Sequence, residues 1–265
     1  MNEQVKIQEL KVNYQVVGAG RPVIILHGWG SRADLWTPVQ EKIASCGFKV
    51  IVPDLIGFGQ SDPPLTGWRV DDYVSWFEDF IQKISERHQE FKEPFFLVGH
   101  SFGGRIAIKI AAGRSLSLKG LVLCGAAGLP PETSLKLRML SGLAKSGSNL
   151  MKKMKLDWLH DSARDFYYRL LHQHDYLKVS RTMKDTFRLV VEEDLSGCLP
   201  AIETPTLIIW GEKDYIVPIE QAHRFHQAIK GSQLKIIKEI GHSPQLEAPE
   251  KLVELLQHFF QKSNG

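Results

Sequence analysis

A serine enclosed by glycines is the first residue in this sequence whose setting indicates chemistry. Ser101 lies in GHSFGG, residues 99–104, directly after the apolar run Phe95–Val98 and before a helix-forming stretch. A serine on such a strand-to-helix turn adopts a strained backbone, and the flanking glycines remove side chains that would clash. The pattern predicts a nucleophilic serine at the carboxyl end of a strand. The alternative is a glycine-rich turn with an incidental serine.

A serine hydroxyl needs a base, and the base needs an acid that orients it. His242 follows the last strand candidate, and Asp214 follows the strand candidate Thr206–Ile209. Glu212 shares the loop of Asp214 and competes with it for the role of the acid. The order serine, acid, histidine is the order expected when the serine lies on a nucleophile elbow. These residues at strand ends predict a catalytic triad of Ser101, His242 and one of the two carboxylates.

Acyl chemistry also needs hydrogen-bond donors for a negatively charged oxygen. The segment HGWG, residues 27–30, follows the strand candidate Val23–Leu26. Its two glycines let the backbone turn so that the Trp29 N–H faces the serine, and the Phe102 N–H lies directly after the serine. We therefore expect Trp29 and Phe102 to form an oxyanion hole. The alternative is an ordinary glycine-rich turn.

Short apolar runs alternate with amphipathic stretches, and these elements would position the candidate residues. The strand candidates are apolar almost throughout, as strands buried on both faces of a sheet must be. They are Val23–Leu26, Lys49–Val52, Phe95–Val98, Gly120–Leu123, Thr206–Ile209 and 233–238, and residues 4–17 add two polar-alternating strands of an edge hairpin. The helix candidates are 35–45, 71–90, 102–113, 219–229 and 248–260. The alternation predicts an α/β fold with a mostly parallel eight-stranded sheet and helices on both faces.

One segment, residues 130–200, interrupts this alternation. It shows helical periodicity without a convincing strand, and it is too long for a loop in a compact domain. We expect a helical cap, or lid, at 130–200, inserted into a core formed by 1–129 and 201–265.

Composition excludes several classes of protein. The chain has 265 residues, of which 43% are hydrophobic, and its net charge of +3 is far from the basic stripe of a nucleic-acid binder. No apolar run reaches the length of a membrane span and no signal-peptide pattern is visible, so we expect a cytoplasmic protein. The three cysteines form no CxxC pair, and neither a disulfide framework, a metal nor a cofactor is expected. Five further histidines are expected at the surface or as caps: His88, His160, His172, His174 and His258.

Five motifs together resemble those of the α/β-hydrolase superfamily, and the resemblance covers essentially the whole chain. They are HGWG at 27–30, DLIGFGQSD at 54–62, GHSFGG at 99–104, WGEKDYIVP at 210–218 and GHSPQLEAPE at 241–250. In that superfamily the acid is the aspartate of the WGxxD segment, so the resemblance implies Asp214. Ser101 separates the chain from the haloalkane dehalogenases and epoxide hydrolases, which use an aspartate at that position.

The cap candidate lies where the superfamily has its lid, which sets substrate specificity. HGWG followed by Trp36 resembles the pimeloyl-acyl-carrier methyl esterases, whose basic lids meet an acidic carrier protein. Here 132–155 holds six basic side chains against Glu132 alone: Lys136, Arg138, Lys145, Lys152, Lys153 and Lys155. This charge would steer an acidic carrier protein, and the alternative is a solvated helix face. The GHSFGG motif departs from that subfamily and is shared with carboxylesterases, meta-cleavage C–C hydrolases and cofactor-free perhydrolases.

These features together predict a serine hydrolase that cleaves carboxylic esters of small to medium acyl groups through an acyl-enzyme. The candidate substrate-binding residues are His27, Gly28, Trp158, Phe166 and Tyr167. One alternative is another hydrolase, either an acyl-carrier-protein methyl esterase or a C–C bond hydrolase in which Arg105 or Arg188 binds the substrate's carboxylate. A second alternative is a weakly catalytic ligand-binding protein of the same fold.

Overall fold

The computed structural model describes residues 1–130 and 180–262, and its centre is one sheet of eight strands. The strands are β1 (Asn2–Ile7), β2 (Leu10–Gly18), β3 (Arg21–Leu26), β4 (Phe48–Pro53), β5 (Phe95–His100), β6 (Leu118–Cys124), β7 (Thr206–Gly211) and β8 (Gln233–Ile237). Their order across the sheet is β1-β2-β4-β3-β5-β6-β7-β8. The strands from β3 to β8 are parallel, and β2 pairs antiparallel with both β1 and β4. The predicted sheet and its edge hairpin are therefore confirmed.

Helices cover both faces of this sheet. The described helices are α1 (Thr37–Ala44), α2 (Val70–Ile84), α3 (Phe102–Gly113), α4 (Arg181–Glu192), α5 (Ile219–Ala228), α6 (Pro244–Glu247) and α7 (Pro249–Lys262). Buried side chains of α1 and α7 share one apolar cluster, and those of α2, α3 and α5 share the other. In the described ranges, no helix combines the length and the apolar character that crossing a bilayer requires.

Strand β3 shows why these runs are apolar throughout. Val23 and Ile25 belong to the cluster on the α1 and α7 face, whereas Ile24 and Leu26 belong to the cluster on the opposite face. Successive side chains of a strand point to opposite faces, so a strand with helices on both sides buries every position. All four side chains are fully buried.

Helix α2 ends at Ile84, earlier than the predicted 71–90. The chain turns there because the Arg87 and His88 N–H groups both donate to the Ile84 carbonyl, at 3.0 and 2.8 Å. This turn carries the His88 ring to Tyr14 and Glu3, 3.3 Å from the Glu3 carboxylate. The expectation of a surface position for His88 is wrong, since its side chain is buried. His88 does hold the N-cap position of the short 3-10 helix Gln89–Lys92, but its side chain makes no capping hydrogen bond. The cause of the burial is a long-range partner that helical periodicity cannot reveal.

Helix α4 is the described part of the predicted cap segment. Ser180 caps it by accepting the Met183 N–H, and its buried side chains are Met183, Thr186, Phe187 and Val190. Trp158, Phe166, Tyr167 and the basic segment 132–155 lie outside the described residues. The boundaries of the cap stay a prediction.

Helix α7 follows the loop that carries His242, and its packing offers a stability test. Phe260 is fully buried, with its ring centroid 4.4 Å from that of Phe96 and 5.2 Å from that of Phe48. Phe260→Ala removes most of this contact and leaves a cavity, so we expect it to lower the free energy of unfolding by about 3–5 kcal/mol. His258→Ala, at an exposed position of the same helix, should change it by less than about 0.5 kcal/mol. Urea denaturation measures both, and equal effects of the two variants would contradict the packing described.

Candidate active site

Ser101 lies between the end of β5 and the first residue of α3 with a strained backbone. Its φ is +50° and its ψ is −111°, in a region that costs a residue with a side chain about 1–3 kcal/mol. The turn is held because the Ser101 N–H donates to the Cys124 carbonyl at 3.1 Å. Gly103 must lack a side chain, since a Cβ there would collide with the Leu26 carbonyl oxygen. The predicted elbow is therefore present, and its serine is buried at the carboxyl edge of the sheet.

Asp214 and Glu212, the two acid candidates, have different partners. The Asp214 Oδ2 lies 2.8 Å from the Nδ1 of His242, and its Oδ1 accepts the N–H groups of Ile216 and Val217. The exposed Glu212 instead accepts the N–H of Glu239 at 3.1 Å. The structure therefore brings Asp214, and not Glu212, to the histidine.

His242 is held by its neighbours on the loop between β8 and α6. The carboxylate of Glu247 accepts the N–H groups of Gly241 and Ser243, at 2.6 and 2.9 Å. Since the Nδ1 of His242 donates to Asp214, its Nε2 carries the lone pair of the neutral ring. This Nε2 and the Ser101 Oγ are both buried without a hydrogen-bond partner among the described residues. Both residues line the same cavity, which leaves the two atoms available for chemistry.

The loop His27–Gly30 packs directly against the start of α3. The Gly103 N–H donates to the His27 carbonyl at 3.1 Å, and a Cβ on Gly28 would lie 3.2 Å from the Cβ of Ser101. Neither the Trp29 N–H nor the Phe102 N–H donates to an acceptor within residues 1–130 and 180–262. Two unused donors beside Ser101 are what an oxyanion hole requires.

His27 packs inside the protein and lines neither of the two cavities beside Ser101, and the expectation that it contacts substrate stays a prediction. Its ring is fully buried, and its Nδ1 donates to the Gly28 carbonyl at 2.8 Å while its Nε2 accepts the Leu55 N–H at 3.0 Å. Burial lowers the pKa of His27, so the ring is neutral and both nitrogens are used. Gly28, the other candidate on this loop, does line a cavity beside Ser101.

Two cavities meet at Ser101, and their linings differ in polarity. We call the first, of about 10 Å³, the apolar cavity. Its wall is formed mostly by Trp29, Phe102, Ala127, Phe187 and Val190, together with Arg105. We call the second, of about 50 Å³, the polar cavity, although Leu35, Ile216 and Leu246 also line it. Its polar side chains are Ser31, His100, Ser101, His242, Ser243 and Gln245. Sequence reasoning did not single out Phe187, His100 or Gln245, because no motif rule assigns those positions to a cavity wall.

Arg105 is the buried charge at the side of the apolar cavity. Its guanidinium donates to the Glu193 carbonyl at 2.8 Å and to the Val191 carbonyl at 3.5 Å, at the end of α4. Burial lowers the pKa of Arg105 to about 10, so the group keeps its charge at neutral pH. Arg188, the other candidate for binding a carboxylate, is exposed on α4 and does not line this cavity. Of the two arginines, Arg105 alone is near Ser101.

Known proteins share this sequence pattern and this fold. The serine aminopeptidase S33 family matches residues 19–249. The AB hydrolase superfamily protein YisY of Bacillus subtilis is 29% identical, over 98% of this chain and 99% of its own. The 2-hydroxy-6-oxo-6-(2'-aminophenyl)hexa-2,4-dienoic acid hydrolase of Metapseudomonas resinovorans is 26% identical, over 96% of this chain and 88% of its own.

A solved structure supports the same fold assignment. A thermophilic esterase from Thermogutta terrifontis superposes with a TM-score of 0.73 at 23% identity, and the match covers 100% of both chains. Likeness at that identity shows the fold alone. The family match covers residues 19–249, which is most of the chain, and it therefore shows the family. This chain belongs to the serine aminopeptidase S33 family of the α/β-hydrolase superfamily, and it is a hydrolase.

Proposed function

We propose that this protein is a serine carboxylesterase that acts on esters of small to medium acyl groups. The observation that carries the proposal is the set of contacts of His242. Asp214 lies 2.8 Å from its Nδ1, its Nε2 has no hydrogen-bond partner among the described residues, and His242 lines the same cavity as Ser101. This arrangement gives a hydroxyl group a base of fixed tautomer.

The proposed reaction assigns each group one task. The Ser101 Oγ attacks the acyl carbon while the His242 Nε2 takes its proton, and Asp214 stabilises the imidazolium. The Trp29 and Phe102 N–H groups stabilise the oxyanion. His242 then protonates the departing alkoxide, which leaves an acyl-serine. A water molecule, deprotonated by His242, hydrolyses this ester and restores the Ser101 hydroxyl.

The apolar character of the lining beside Ser101 supports the proposed acyl specificity. The wall of the apolar cavity is made mostly of aromatic and aliphatic side chains, which favour the hydrocarbon part of an acyl group. Phe187 and Val190 line it from α4, so we expect the cap segment to contribute to the pocket.

C–C bond hydrolysis is the second candidate, favoured by the relative that hydrolyses a 2-hydroxy-6-oxo dienoic acid. Such a substrate carries a carboxylate, and Arg105 is the cation beside Ser101. Arg105 donates to two carbonyl groups of the chain, however, which uses part of its hydrogen-bonding capacity. We therefore place ester hydrolysis first.

Labelling and a substrate panel test the proposed reaction. A fluorophosphonate probe should label the native protein and not Ser101→Ala, which should also lose at least about 10⁴-fold in kcat. p-Nitrophenyl esters of graded chain length should be hydrolysed faster than a ring-fission diketo acid. The reverse preference would support the C–C reaction. If the probe did not label the native protein, the result would support the alternative of a weakly catalytic ligand-binding protein of the same fold.

Asp214 and Glu212 provide a matched test of the acid. Asp214→Asn removes the acceptor that fixes the His242 tautomer, so we expect kcat to fall by about 10⁴-fold. Glu212→Gln, on the same loop, should leave kcat within about twofold because its partner is the Glu239 N–H. Steady-state kinetics on one p-nitrophenyl ester compares them, and similar losses in both variants would refute this assignment.

Gly28 provides an indirect test of the oxyanion donors, which a side-chain substitution cannot delete. Gly28→Val would force the loop away from Ser101 and His100, so kcat should fall by about 10²–10³-fold with little change in KM. Gly197→Val is the control, because its Cβ would meet no atom within 4 Å. An unchanged kcat for Gly28→Val would count against the Trp29 donor.

A further inference from the structure

His100 is a buried polar residue beside the nucleophile, and the proposed reaction gives it no task. It is the last residue of β5, whose other residues are apolar or glycine, and its side chain is buried. In the alternation of the strand it follows Phe96 and Val98, which belong to the cluster on the α1 and α7 face. A polar ring buried at such a position is unfavourable unless it makes a hydrogen bond. The partner of this ring therefore indicates what the ring does.

The partner of His100 is the backbone of the catalytic histidine. The Nε2 of His100 lies 2.8 Å from the carbonyl oxygen of His242, and because a carbonyl oxygen accepts, Nε2 carries the proton and donates it. Burial lowers the pKa of His100 to about 3, which keeps the ring neutral at physiological pH and leaves the lone pair on Nδ1. This Nδ1 has no partner among the described residues. The contact with His242 is therefore the hydrogen bond that the ring makes within them.

This hydrogen bond differs from the other contacts of His242 because it reaches the segment that carries the nucleophile. Asp214 holds the ring of His242 from the loop after β7, and Glu247 holds the neighbouring N–H groups from α6. His100 directly precedes Ser101. Among the described residues, its bond is the one hydrogen bond between the elbow at Ser101 and the His242 loop.

The ring of His100 is also fixed by packing. A Cβ on Gly28 would lie 2.9 Å from its Nδ1, so the backbone of the loop that carries the Trp29 N–H passes close to the ring. The Trp36 ring lies against it in an edge arrangement, with 5.9 Å between the ring centroids. These contacts restrict rotation of the His100 ring, so the direction of its N–H group is set.

We infer that His100 is a positioning residue for the hydrolysis: its Nε2–H holds the His242 carbonyl and so keeps the His242 base within reach of the Ser101 hydroxyl. The inference rests on the proposed function. A misplacement of about 1 Å in a catalytic group can cost about 10²-fold in rate, so loss of this bond should lower kcat by about 10–10²-fold. KM should change little, because the N–H that is lost faces a carbonyl group of the chain.

Two substitutions of equal length test the role of the N–H group. His100→Gln places an amide N–H near the position of Nε2, whereas His100→Met fills similar space without a donor. On p-nitrophenyl butanoate we expect kcat to fall by at least about tenfold in His100→Met and to stay within about threefold of the native value in His100→Gln, with KM within about twofold in both. Equal kcat in the two variants would overturn the inference.

Two controls separate rate from folding. Titration of Ser101 with the fluorophosphonate probe gives kcat per intact site, so a loss of folded protein is not counted as a loss of rate. His226→Met replaces an exposed histidine of α5 that lines neither cavity, and it should leave kcat within about twofold.

A second background shows whether His100 acts through His242. His242→Ala removes the base and keeps the backbone carbonyl, so in this background the difference in residual kcat between His100→Met and His100→Gln should shrink to less than about twofold. A difference that persists at full size would show that His100 acts on another part of the site, such as the loop of Gly28, and would overturn the inference.

Nitrogen-15 NMR of the native protein tests the geometry without a substitution, should a variant fail to fold. At about pH 7 we expect a neutral His100 ring with its proton on Nε2. A ring with its proton on Nδ1 alone would overturn the inference, because its Nε2 could not donate to the His242 carbonyl.

The outcomes separate this inference from the proposed function. If the native protein is labelled at Ser101 and hydrolyses the ester, equal kcat in His100→Met and His100→Gln refutes the positioning role and leaves the esterase. If the native protein shows neither labelling nor hydrolysis, both are refuted.

Discussion

The hydrogen bond between the Asp214 Oδ2 and the His242 Nδ1 is the contact on which the site depends. It joins the loops that follow β7 and β8, and it fixes which nitrogen of the ring carries the proton. Asp214 is itself held by the N–H groups of Ile216 and Val217, and the His242 loop is held by Glu247. Because one sheet positions both loops, His242 and Ser101 line the same cavity.

The buried sheet also maintains the strained turn at Ser101. A φ of +50° persists only where surrounding contacts outweigh its cost, and the carbonyl groups of Cys124 and His27 accept the Ser101 and Gly103 N–H groups there. The same turn leaves the Phe102 N–H without an acceptor in the described chain. Strain and an unused donor are therefore two results of one local conformation.

The sequence predicted the eight strands, the elbow and the loops at strand ends because these follow from local apolar runs and glycine spacing. It did not decide between Asp214 and Glu212 by residue type alone, since the choice depends on which carboxylate the loop turns toward His242. The buried positions of His88 and His27 were missed for a similar reason: their partners, Glu3 and Leu55, are distant in the sequence. Contacts between elements carry this information, and periodicity does not.

Helix α3 couples the two sides of the site. Its first residue carries the Phe102 N–H, and one turn later Arg105 donates to the carbonyl groups at the end of α4, where Lys109 also pairs with Glu193. Through these contacts α4, which bears Phe187 and Val190, is tied to α3, so the lining of the apolar cavity depends on the same helix as the Phe102 N–H. The polar cavity lies on loops after β3 and β8 instead. Substitutions in α4 would therefore change the lining of the apolar cavity and leave the loops that line the polar cavity in place.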